Sequence, residues 1–252
     1  MWAIVSDMHS NVEALEAVFE DISKADVSET LCLGDVVGYG PDPEETIDIV
    51  ERNCRFTLSG NHDYAVVNRA ERFNPLAEEA VEYTRRVLRP SLLSAGRKRA
   101  RWKFLDGLPT RRLENGILYV HGSPRDERNE YILESDIVFG NFEKLREIFA
   151  MFPRLLFIGH THVPGVISDD FRFWHPSDSG ATYAFEPGRK YIVNVGSVGQ
   201  PRDGDPRACY ALAEPDRVIY RRVAYDLHRT MSRMDRIGPI SREAAERLLY
   251  GR

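Results

Sequence analysis

Polar side chains of metal-binding type follow several short apolar runs in this sequence. They are Asp7 and His9 after residues 2–5, Asp35 after 31–33, Asn61 and His62 after 56–58, His121 after 117–120, and His160 and His162 after 155–158. Open α/β sheets build their sites at the carboxyl ends of successive strands, so these clusters are expected to meet there. Carboxylates, imidazoles and one amide are the ligand types of a two-metal hydrolytic centre.

The spacing within the clusters predicts that neighbouring residues bind a common ion. Asp7 and His9 are two apart, and in an extended segment such residues face the same way. His160 and His162 share that spacing and could serve one metal or one each of a close pair. Asp35 has two carboxylate oxygens and could bridge two ions. Each motif is weak alone, because a strand-end histidine is more often structural, but their ordered recurrence predicts a metal centre.

Alternating strands and helices are predicted to position these side chains. Strands are expected at residues 2–5, 31–33 and 55–58, and helices at 11–24 and 43–53. The first helix has apolar residues spaced for one buried face, with Ser10 or Asn11 as its cap. Strand, helix, strand, helix, strand implies a parallel sheet with right-handed crossovers.

The whole chain, residues 1–252, is predicted to form one domain, with more strands toward its end. Residues 64–107 contain two helical patterns, at 77–88 and 95–105, which are either a helical insertion over the site or an ordinary packing pair. Asn115-Gly116 predicts a hairpin between strands 111–114 and 117–120. Further helices are expected at 138–152, 227–237 and 242–250, and further strands at 154–158, 163–167, 171–175, 182–185, 191–195, 209–213 and 218–224.

Composition and charge narrow the class of protein. The chain has 252 residues, with 39 acidic and 34 basic side chains and 3 cysteines. A mildly acidic chain argues against a general nucleic-acid binder, so no stable nucleic-acid partner is expected. Cys32, Cys54 and Cys209 are scattered and predicted to be reduced and mostly buried, which fits a cytoplasmic protein. No apolar stretch approaches the roughly 20 residues that cross a bilayer, and the N-terminus does not read as a signal peptide, so no membrane partner is expected.

The motifs together identify a family. The run Asp7-x-His9, Gly34-Asp35, Gly60-Asn61-His62-Asp63, His121 and Gly159-His160-Thr161-His162 resembles the calcineurin-like metallophosphoesterases. The resemblance implies an α/β fold, a four-layer αββα sandwich of two mixed sheets flanked by helices. It implies that one metal is held by Asp7, His9, Asp35 and His162, and that Asp35 bridges to a second metal held by Asn61, His121 and His160. It also implies that His62 is a catalytic side chain near the leaving group.

The chemistry of such a centre follows from its charges. Two divalent ions carry four positive charges, and Asp7 and Asp35 cancel two of them, so the site would attract a phosphate group. The ions lower the pKa of a shared water, and the metal-bridging hydroxide then attacks phosphorus. His62, if protonated, could donate a proton to the departing oxygen; the alternative is a structural bond that holds Asn61. The donors suit Mn, Fe, Zn or Co, with manganese as the first expectation.

The substrate is predicted less sharply. Gly34-Asp35-Val36-Val37-Gly38 departs from the Gly-Asp-x-x-Asp-Arg-Gly motif of the protein-phosphatase branch, and Asp63 replaces its Glu. The chain is more similar to the small prokaryotic phosphodiesterase branch. That resemblance implies hydrolysis of phosphodiester or phosphoanhydride bonds in nucleotides or dinucleoside polyphosphates. The alternatives are a phosphomonoesterase or phosphoprotein (Ser/Thr) phosphatase, and a non-catalytic interaction module.

Candidate substrate contacts are Tyr39, Arg125 and Arg202. Tyr39 could stack on a base or simply pack in its loop, and Arg125 could bind a second phosphate or form a surface ion pair. Arg202 lies in the Gly-rich segment 194–203, which resembles the closing motif that packs beside the metal site in the small phosphodiesterase branch. The basic stretch 85–101 is either a solvated face or a surface that steers polyanions. A homodimer through the helical or C-terminal segments is possible, because residues 227–237 carry an apolar stripe.

Overall fold

The computed structural model describes residues 1–69, 73–176, 181–237 and 242–252. Strands and helices alternate over the first three strands, and most of the later strands follow one another along the described chain. The strands are β1 (Trp2–Val5), β2 (Thr30–Cys32), β3 (Phe56–Thr57), β4 (Arg111–Glu114), β5 (Ile117–Val120), β6 (Leu155–Ile158), β7 (Gly165–Ser168), β8 (Phe173–Trp174), β9 (Thr182–Ala184), β10 (Tyr191–Asn194), β11 (Ala208–Glu214) and β12 (Arg217–Val223). The helices are α1 (Val12–Ser23), α2 (Pro43–Asn53), α3 (Asn61–Val67), α4 (Pro75–Leu88), α5 (Gly96–Asp106), α6 (Glu134–Val138), α7 (Phe142–Ala150), α8 (Leu227–Ile237) and α9 (Arg242–Tyr250).

Two mixed sheets form the centre of the fold. The first has the strand order β3-β2-β1-β11-β12-β9 and the second the order β4-β5-β6-β10-β7-β8. β1, β2 and β3 run parallel to one another, as do β5, β6 and β10. The remaining neighbours are antiparallel. The parallel arrangement predicted for the first three strands is therefore confirmed.

Alternate residues of each central strand face opposite apolar layers. In β1, Val5 packs with α1 and α2 whereas Ile4 packs between the sheets. In β6, Phe157 lies between the sheets whereas Ile158 packs with α7. Because strands of this kind are buried on both faces, they read as continuous apolar runs in the sequence. Helices, two sheets and helices again make the four-layer sandwich that the family resemblance implied.

The structure shortens one predicted helix. The expected helix 138–152 begins only at Phe142, as α7, because the short helix α6 ends at Val138 and Gly140 at φ +74° separates the two. Gly140 adopts a left-handed conformation that ends a helix, and its lack of a Cβ removes the usual steric cost. Apolar spacing continues across this break, so periodicity alone could not locate it.

The apolar stripe of α8 faces the protein itself. Met234 is buried with Leu248 of α9, and Met231 packs against the same cluster. A homodimer therefore gains no support from this stripe. The three cysteines are free, with Cys32 and Cys209 buried. Within the described part of the chain, no helix is both long enough and apolar enough to span a membrane.

Candidate metal centre

The carboxyl ends of parallel strands from both sheets meet at one edge of the sandwich. The seven predicted ligands, called the donor cluster below, lie there: Asp7, His9, Asp35, Asn61, His121, His160 and His162. The backbone N–H of His160 donates to Asp7 Oδ2 at 3.1 Å, which joins the end of β6 to the end of β1. The backbone N–H of His62 donates to Asp35 Oδ1 at 2.9 Å, which joins α3 to the end of β2. Residues far apart in sequence are thus held together by the backbone.

Asp7, His9 and His162 form the first group of converging donor atoms, all within 4.8 Å of one another. His162 Nε2 lies 3.3 Å from Asp7 Oδ1 and 3.1 Å from His9 Nε2. His9 Nε2 is also 3.6 Å from Asp35 Oδ2. Nitrogen and carboxylate donors bind divalent metals at roughly 2.0–2.2 Å, so one ion fits among these three side chains after small adjustments.

Asp35, His121 and His160 form a second group with the same spread of donor atoms. His121 Nε2 is 3.4 Å from Asp35 Oδ2 and 3.9 Å from Asp7 Oδ1. Asp35 therefore reaches toward both groups, as a bridging carboxylate must. The donor atoms of a third group, His9, Asp35 and His62, also lie within 4.8 Å of one another. By distance alone, His62 could therefore also bind metal.

Left-handed backbone conformations aim the donor side chains. Of the nine described non-Gly residues with positive φ, five belong to the donor cluster: Asp7 (56°), His9 (46°), Asp35 (51°), His160 (67°) and His162 (62°). Such conformations cost roughly 1–3 kcal/mol each and are concentrated at functional sites. The prediction that Asp7 and His9 converge through an extended segment was wrong, because both lie in a turn that follows β1.

Two glycines allow the backbone to approach the carboxylates closely. A Cβ on Gly60 would overlap Asp35 Oδ1 and stand 2.5 Å from the backbone nitrogen of Asp35. A Cβ on Gly159 would overlap Ser6 Oγ and stand 2.5 Å from Asp7 Oδ2. Real Cβ atoms do not tolerate these separations, so both motif glycines are required by packing around the ligands.

Backbone carbonyls orient three of the imidazoles. His121 Nδ1 lies 3.1 Å from the carbonyl oxygen of Leu33, and His162 Nδ1 lies 2.6 Å from that of Gln200. His160 Nε2 lies 3.1 Å from the carbonyl oxygen of Asn129. In each case a ring N–H donates to the carbonyl, so the other ring nitrogen is the one that remains for a metal. This is the tautomer that a metal ligand needs, and such outer bonds fix ring orientation at metal sites.

The charges of the donor cluster favour a bound cation. Burial opposes protonation of His121, but Asp35 and Asp7 outweigh it and raise the pKa of His121 to about 9. Burial likewise opposes ionisation of Asp7, yet His162 and His121 lower its pKa below the ordinary value. The cluster therefore draws positive charge toward its two carboxylates, and a metal ion supplies that charge directly.

Unpartnered donor atoms support the same fit. Asp7 Oδ1, Asn61 Oδ1 and His121 Nε2 are buried and have no hydrogen-bond partner among the described residues. A buried polar atom left without a partner costs roughly 1–3 kcal/mol. Coordination would satisfy all three atoms at once, so the residues present fit a metal-binding site.

A cleft of about 490 Å³ opens over the donor cluster. Its walls include Tyr39, Phe73, Tyr131 and Arg202, and Asn74 and Asn129 lie at its sides. His62 contacts Phe73 edge to face, with ring centroids 4.9 Å apart. Burial lowers the pKa of His62 to about 4, against the opposing effect of Asp35, so the ring is neutral near pH 7 before a substrate binds.

The predicted substrate contacts have different surroundings. Tyr39 is 6% exposed, and the Arg202 guanidinium carbon lies 5.7 Å from the centre of its ring. Arg202 donates to Gln200 Oε1 at 2.7 Å, and no carboxylate pairs with it in the described ranges. Arg125 instead pairs with Glu147 at 2.5 Å and with Glu130 at 3.1 Å, and it does not line the cleft. The structure thus places Arg125 in the ion pair that was the alternative prediction.

Sequence reasoning missed Phe73, Asn129, Tyr131 and Gln200. Asn129 and Gln200 act through backbone carbonyls that accept from His160 and His162, and side-chain type carries no information about such a role. Phe73 and Tyr131 lie in irregular segments without apolar periodicity. The sequence signal that could have found Tyr131 was its position as an aromatic residue in the loop that follows His121.

Comparisons with known proteins agree with this geometry. A family model described as a calcineurin-like phosphoesterase superfamily domain matches residues 1–217. An uncharacterized protein from Methanocaldococcus jannaschii is 33% identical over 261 residues, covering 100% of this chain and 98% of that protein. The crystal structure of a metallophosphoesterase from Sphaerobacter thermophilus is 37% identical with a TM-score of 0.81, over 99% of this chain and 98% of the other. A hypothetical protein from Pyrococcus horikoshii shares the fold, with a TM-score of 0.72 at 18% identity over 100% and 98% of the two chains.

Proposed function

Because the chain belongs to the calcineurin-like phosphoesterase superfamily and is a metal-dependent phosphoesterase, we propose that it hydrolyses phosphodiester or phosphoanhydride bonds in nucleotides or dinucleoside polyphosphates. The observation that carries the proposal is the pair of adjacent donor groups, Asp7–His9–His162 and Asp35–His121–His160, beneath one cleft. Paired metal sites of this kind act on phosphoryl groups in in-line displacement.

In this proposal each ligand has a defined place. Asp7, His9, Asp35 and His162 hold one divalent ion, and Asn61, His121 and His160 hold a second, with Asp35 shared. Two such ions polarise the phosphoryl group and supply a nucleophile at neutral pH. Nitrogen and oxygen donors suit manganese, the first choice, with iron, zinc or cobalt as alternatives.

His62 is assigned to the leaving group. Its Nδ1 is buried without a partner among the described residues and faces Gly38, which leaves Nε2 as the nitrogen available to a substrate. A neutral imidazole can donate its N–H to a phosphate oxygen. An arriving phosphate anion raises the pKa of the ring, so the ring takes up a second proton from solvent on Nδ1, and the resulting imidazolium can deliver its Nε2 proton to the departing oxygen and return to the neutral form.

Arg202 and Tyr39 are proposed to contact the substrate beyond the reacting phosphate. Arg202 has no carboxylate partner in the described part of the chain, so its guanidinium can bind a further phosphate in a bidentate manner. The ring of Tyr39 contacts the guanidinium, with its centre 5.7 Å from the guanidinium carbon. Phe73, Asn74 and Ala77 also line the cleft, which supports treating the described residues of 64–107, without 70–72, as a helical insertion over the site of a single domain.

Metal-dependent turnover tests the proposed function. After chelation and reloading with Mn²⁺, we expect the protein to hydrolyse bis-p-nitrophenyl phosphate faster than p-nitrophenyl phosphate. We also expect it to hydrolyse ATP and diadenosine tetraphosphate. A strong preference for the monoester would favour the phosphomonoesterase or phosphoprotein phosphatase alternative. Absence of turnover with every metal would leave only the non-catalytic module.

His62→Asn separates a catalytic role from a ligand role. We expect kcat to fall roughly 10²- to 10⁴-fold because general acid catalysis is lost, while elemental analysis finds the wild-type number of ions. Loss of an ion from the variant would instead show that His62 belongs to the ligand group that contains His9 and Asp35.

A further inference from the structure

Tyr131 presents an aromatic ring at the mouth of the cleft. The ring stacks on the imidazole of His160, with centroids 4.0 Å apart and planes inclined by 12°. Tyr131 is 43% exposed and lines the cleft together with Asn61, His62 and Arg202. One face of the ring is therefore covered by His160, while much of the remaining surface is open to a ligand.

The loop that carries Tyr131 is anchored on both sides of the ring. Lys144 Nζ donates to the carbonyl oxygen of Tyr131 at 2.6 Å. His160 Nε2 donates to the carbonyl oxygen of Asn129 at 3.1 Å. A ring held in this way loses little conformational entropy when a ligand stacks on it, so it is a preorganised contact surface.

The other aromatic rings of the cleft are engaged elsewhere. Tyr39 is 6% exposed, and its ring lies 4.9 Å from His9 and 4.7 Å from His62 between centroids. Phe73 turns its ring edge to face against His62 and packs with the apolar layer of α1 and α2. Tyr131 is the ring of this cleft whose surface a planar group can best cover.

We propose that Tyr131 forms one wall of a nucleobase subsite, so that the substrate of this site is a phosphoester that carries a nucleoside. The inference rests on the phosphoesterase function proposed above and names the substrate class. Arg202 and Tyr131 line the same cleft above the donor cluster. A base on Tyr131 and a phosphate on Arg202 can therefore belong to one nucleotide.

Stacking on tyrosine tolerates any base, because every base has a π face. The subsite accordingly selects for the presence of a nucleoside and does not require a particular base. It extends the stack that His160 and Tyr131 begin, and it places the nucleoside on the side of the second donor group.

Two polyphosphates that differ only by a nucleoside test the subsite. With Mn²⁺, Tyr131→Leu is expected to lower kcat/KM for ATP roughly 5- to 150-fold, the cost of losing one base–aromatic stack. The kcat/KM for inorganic tripolyphosphate should not change. Tyr131→Phe keeps the ring and should behave as wild type. Tyr64→Leu is the matched control, because Tyr64 is 41% exposed, packs under Arg128 and does not line the cleft.

Equal losses for both substrates would overturn the subsite and show that Tyr131 only braces His160. A second readout needs no metal and no turnover. In EDTA, saturation-transfer NMR should detect the adenine protons of adenosine with wild type and with Tyr64→Leu, and lose them with Tyr131→Leu. Absence of adenosine binding to wild type, or its persistence in Tyr131→Leu, overturns the inference. Failure of the proposed function is a separate result, because it removes hydrolysis of both polyphosphates and leaves adenosine binding intact.

Discussion

The donor cluster and the walls of the cleft above it are built in different ways. The side chains that form these walls include Tyr39, Phe73, Asn129, Tyr131 and Arg202. Six of the seven side chains in the donor cluster are buried, and backbone hydrogen bonds and left-handed turns aim them. Arg202 and Tyr131 are held by side-chain or ring contacts and extend into the open cleft. We therefore expect the backbone framework to fix the chemistry and the wall side chains to determine which substrate binds.

This contrast divides the expected effects of substitutions. A change in the donor cluster removes metal or misplaces it, so every substrate loses turnover by a similar factor. A change in the wall alters contacts that only some substrates make, so the loss depends on the substrate. The ratio of activities toward two substrates is therefore the measurement that separates the two regions.

Asp35→Asn should give the largest loss. The substitution removes the carboxylate charge that both donor groups approach, with His9 Nε2 and His121 Nε2 at 3.6 and 3.4 Å from Asp35 Oδ2. We expect loss of bound metal and a fall in kcat/KM of roughly 10³-fold or more for every phosphoester, since bridging metals contribute several kcal/mol. Elemental analysis and kinetics on two substrates check both parts.

Asp106→Asn is the matched control for the change of charge. Asp106 is exposed at the end of α5 and does not line the cleft. It should keep wild-type metal content and activity. If Asp35→Asn retained two ions, its assignment as the bridging ligand would be wrong.

Gly60→Ala should weaken metal binding without removing a ligand. The added Cβ overlaps Asp35 Oδ1 and the backbone of Asp35, so the carboxylate must shift. We expect metal affinity to fall roughly 10- to 100-fold, as when outer groups that orient a ligand are lost. Excess Mn²⁺ in the assay should restore much of the activity.

Gly96→Ala provides the comparison for the added methyl group. A Cβ on Gly96 meets no described atom within 4 Å, and the residue begins α5. Its metal affinity should match wild type. An unaltered metal affinity in Gly60→Ala would contradict the close approach of Gly60 to Asp35.

The same contrast explains what the sequence could reveal. The convergence of the donor cluster was predictable because its residues follow strands, and strands such as β1 and β5 are marked by continuous apolar runs. The hairpin at Asn115-Gly116 was predictable because both residues adopt positive φ, which that pair favours. The start of α7 was not predictable, because the left-handed Gly140 separates it from α6 while the apolar spacing continues across the break.

Only part of the cleft wall was found from the sequence, which named Tyr39 and Arg202 but not Tyr131. Tyr131 gains its place by stacking on His160, so its position depends on a contact made only in the folded chain. The ion pair of Arg125 with Glu147 is likewise a tertiary contact. Spacing within one segment carries no information about such partners.

Arg202→Met tests whether the wall acts selectively. Loss of one charge-assisted contact should lower kcat/KM for ATP roughly tenfold, with a smaller change for bis-p-nitrophenyl phosphate, which has a single phosphate. Arg202→Lys keeps the positive charge but loses the planar guanidinium that binds a phosphate through two hydrogen bonds. Its kcat/KM for ATP should therefore lie between that of Arg202→Met and that of wild type. An equal loss of kcat/KM on both substrates would show that Arg202 positions His162 and does not contact the substrate.

Asp48→Asn should have the smallest effect and should spare both regions. Arg101 Nη2 lies 2.6 Å from Asp48 Oδ2 and Arg97 Nη2 lies 2.6 Å from Asp48 Oδ1, so α5 is joined to α2 on the outside of the fold. The hydrogen bonds from Arg101, together with those from Arg97, outweigh the opposing effect of burial and lower the pKa of Asp48 to about 2. A carboxyl group with a lowered folded-state pKa stabilises the protein above its unfolded pKa of about 4, and that stabilisation is lost as the pH falls toward 2. We therefore expect the variant to lose about 1–2 kcal/mol at pH 7, allowing for partial solvent screening, and to match wild type near pH 2. Denaturant unfolding across pH measures the difference. The kcat/KM of the variant should be unchanged, because Asp48 does not line the cleft. A loss of activity in proportion to the loss of stability would show that the cleft walls depend on the outer helices.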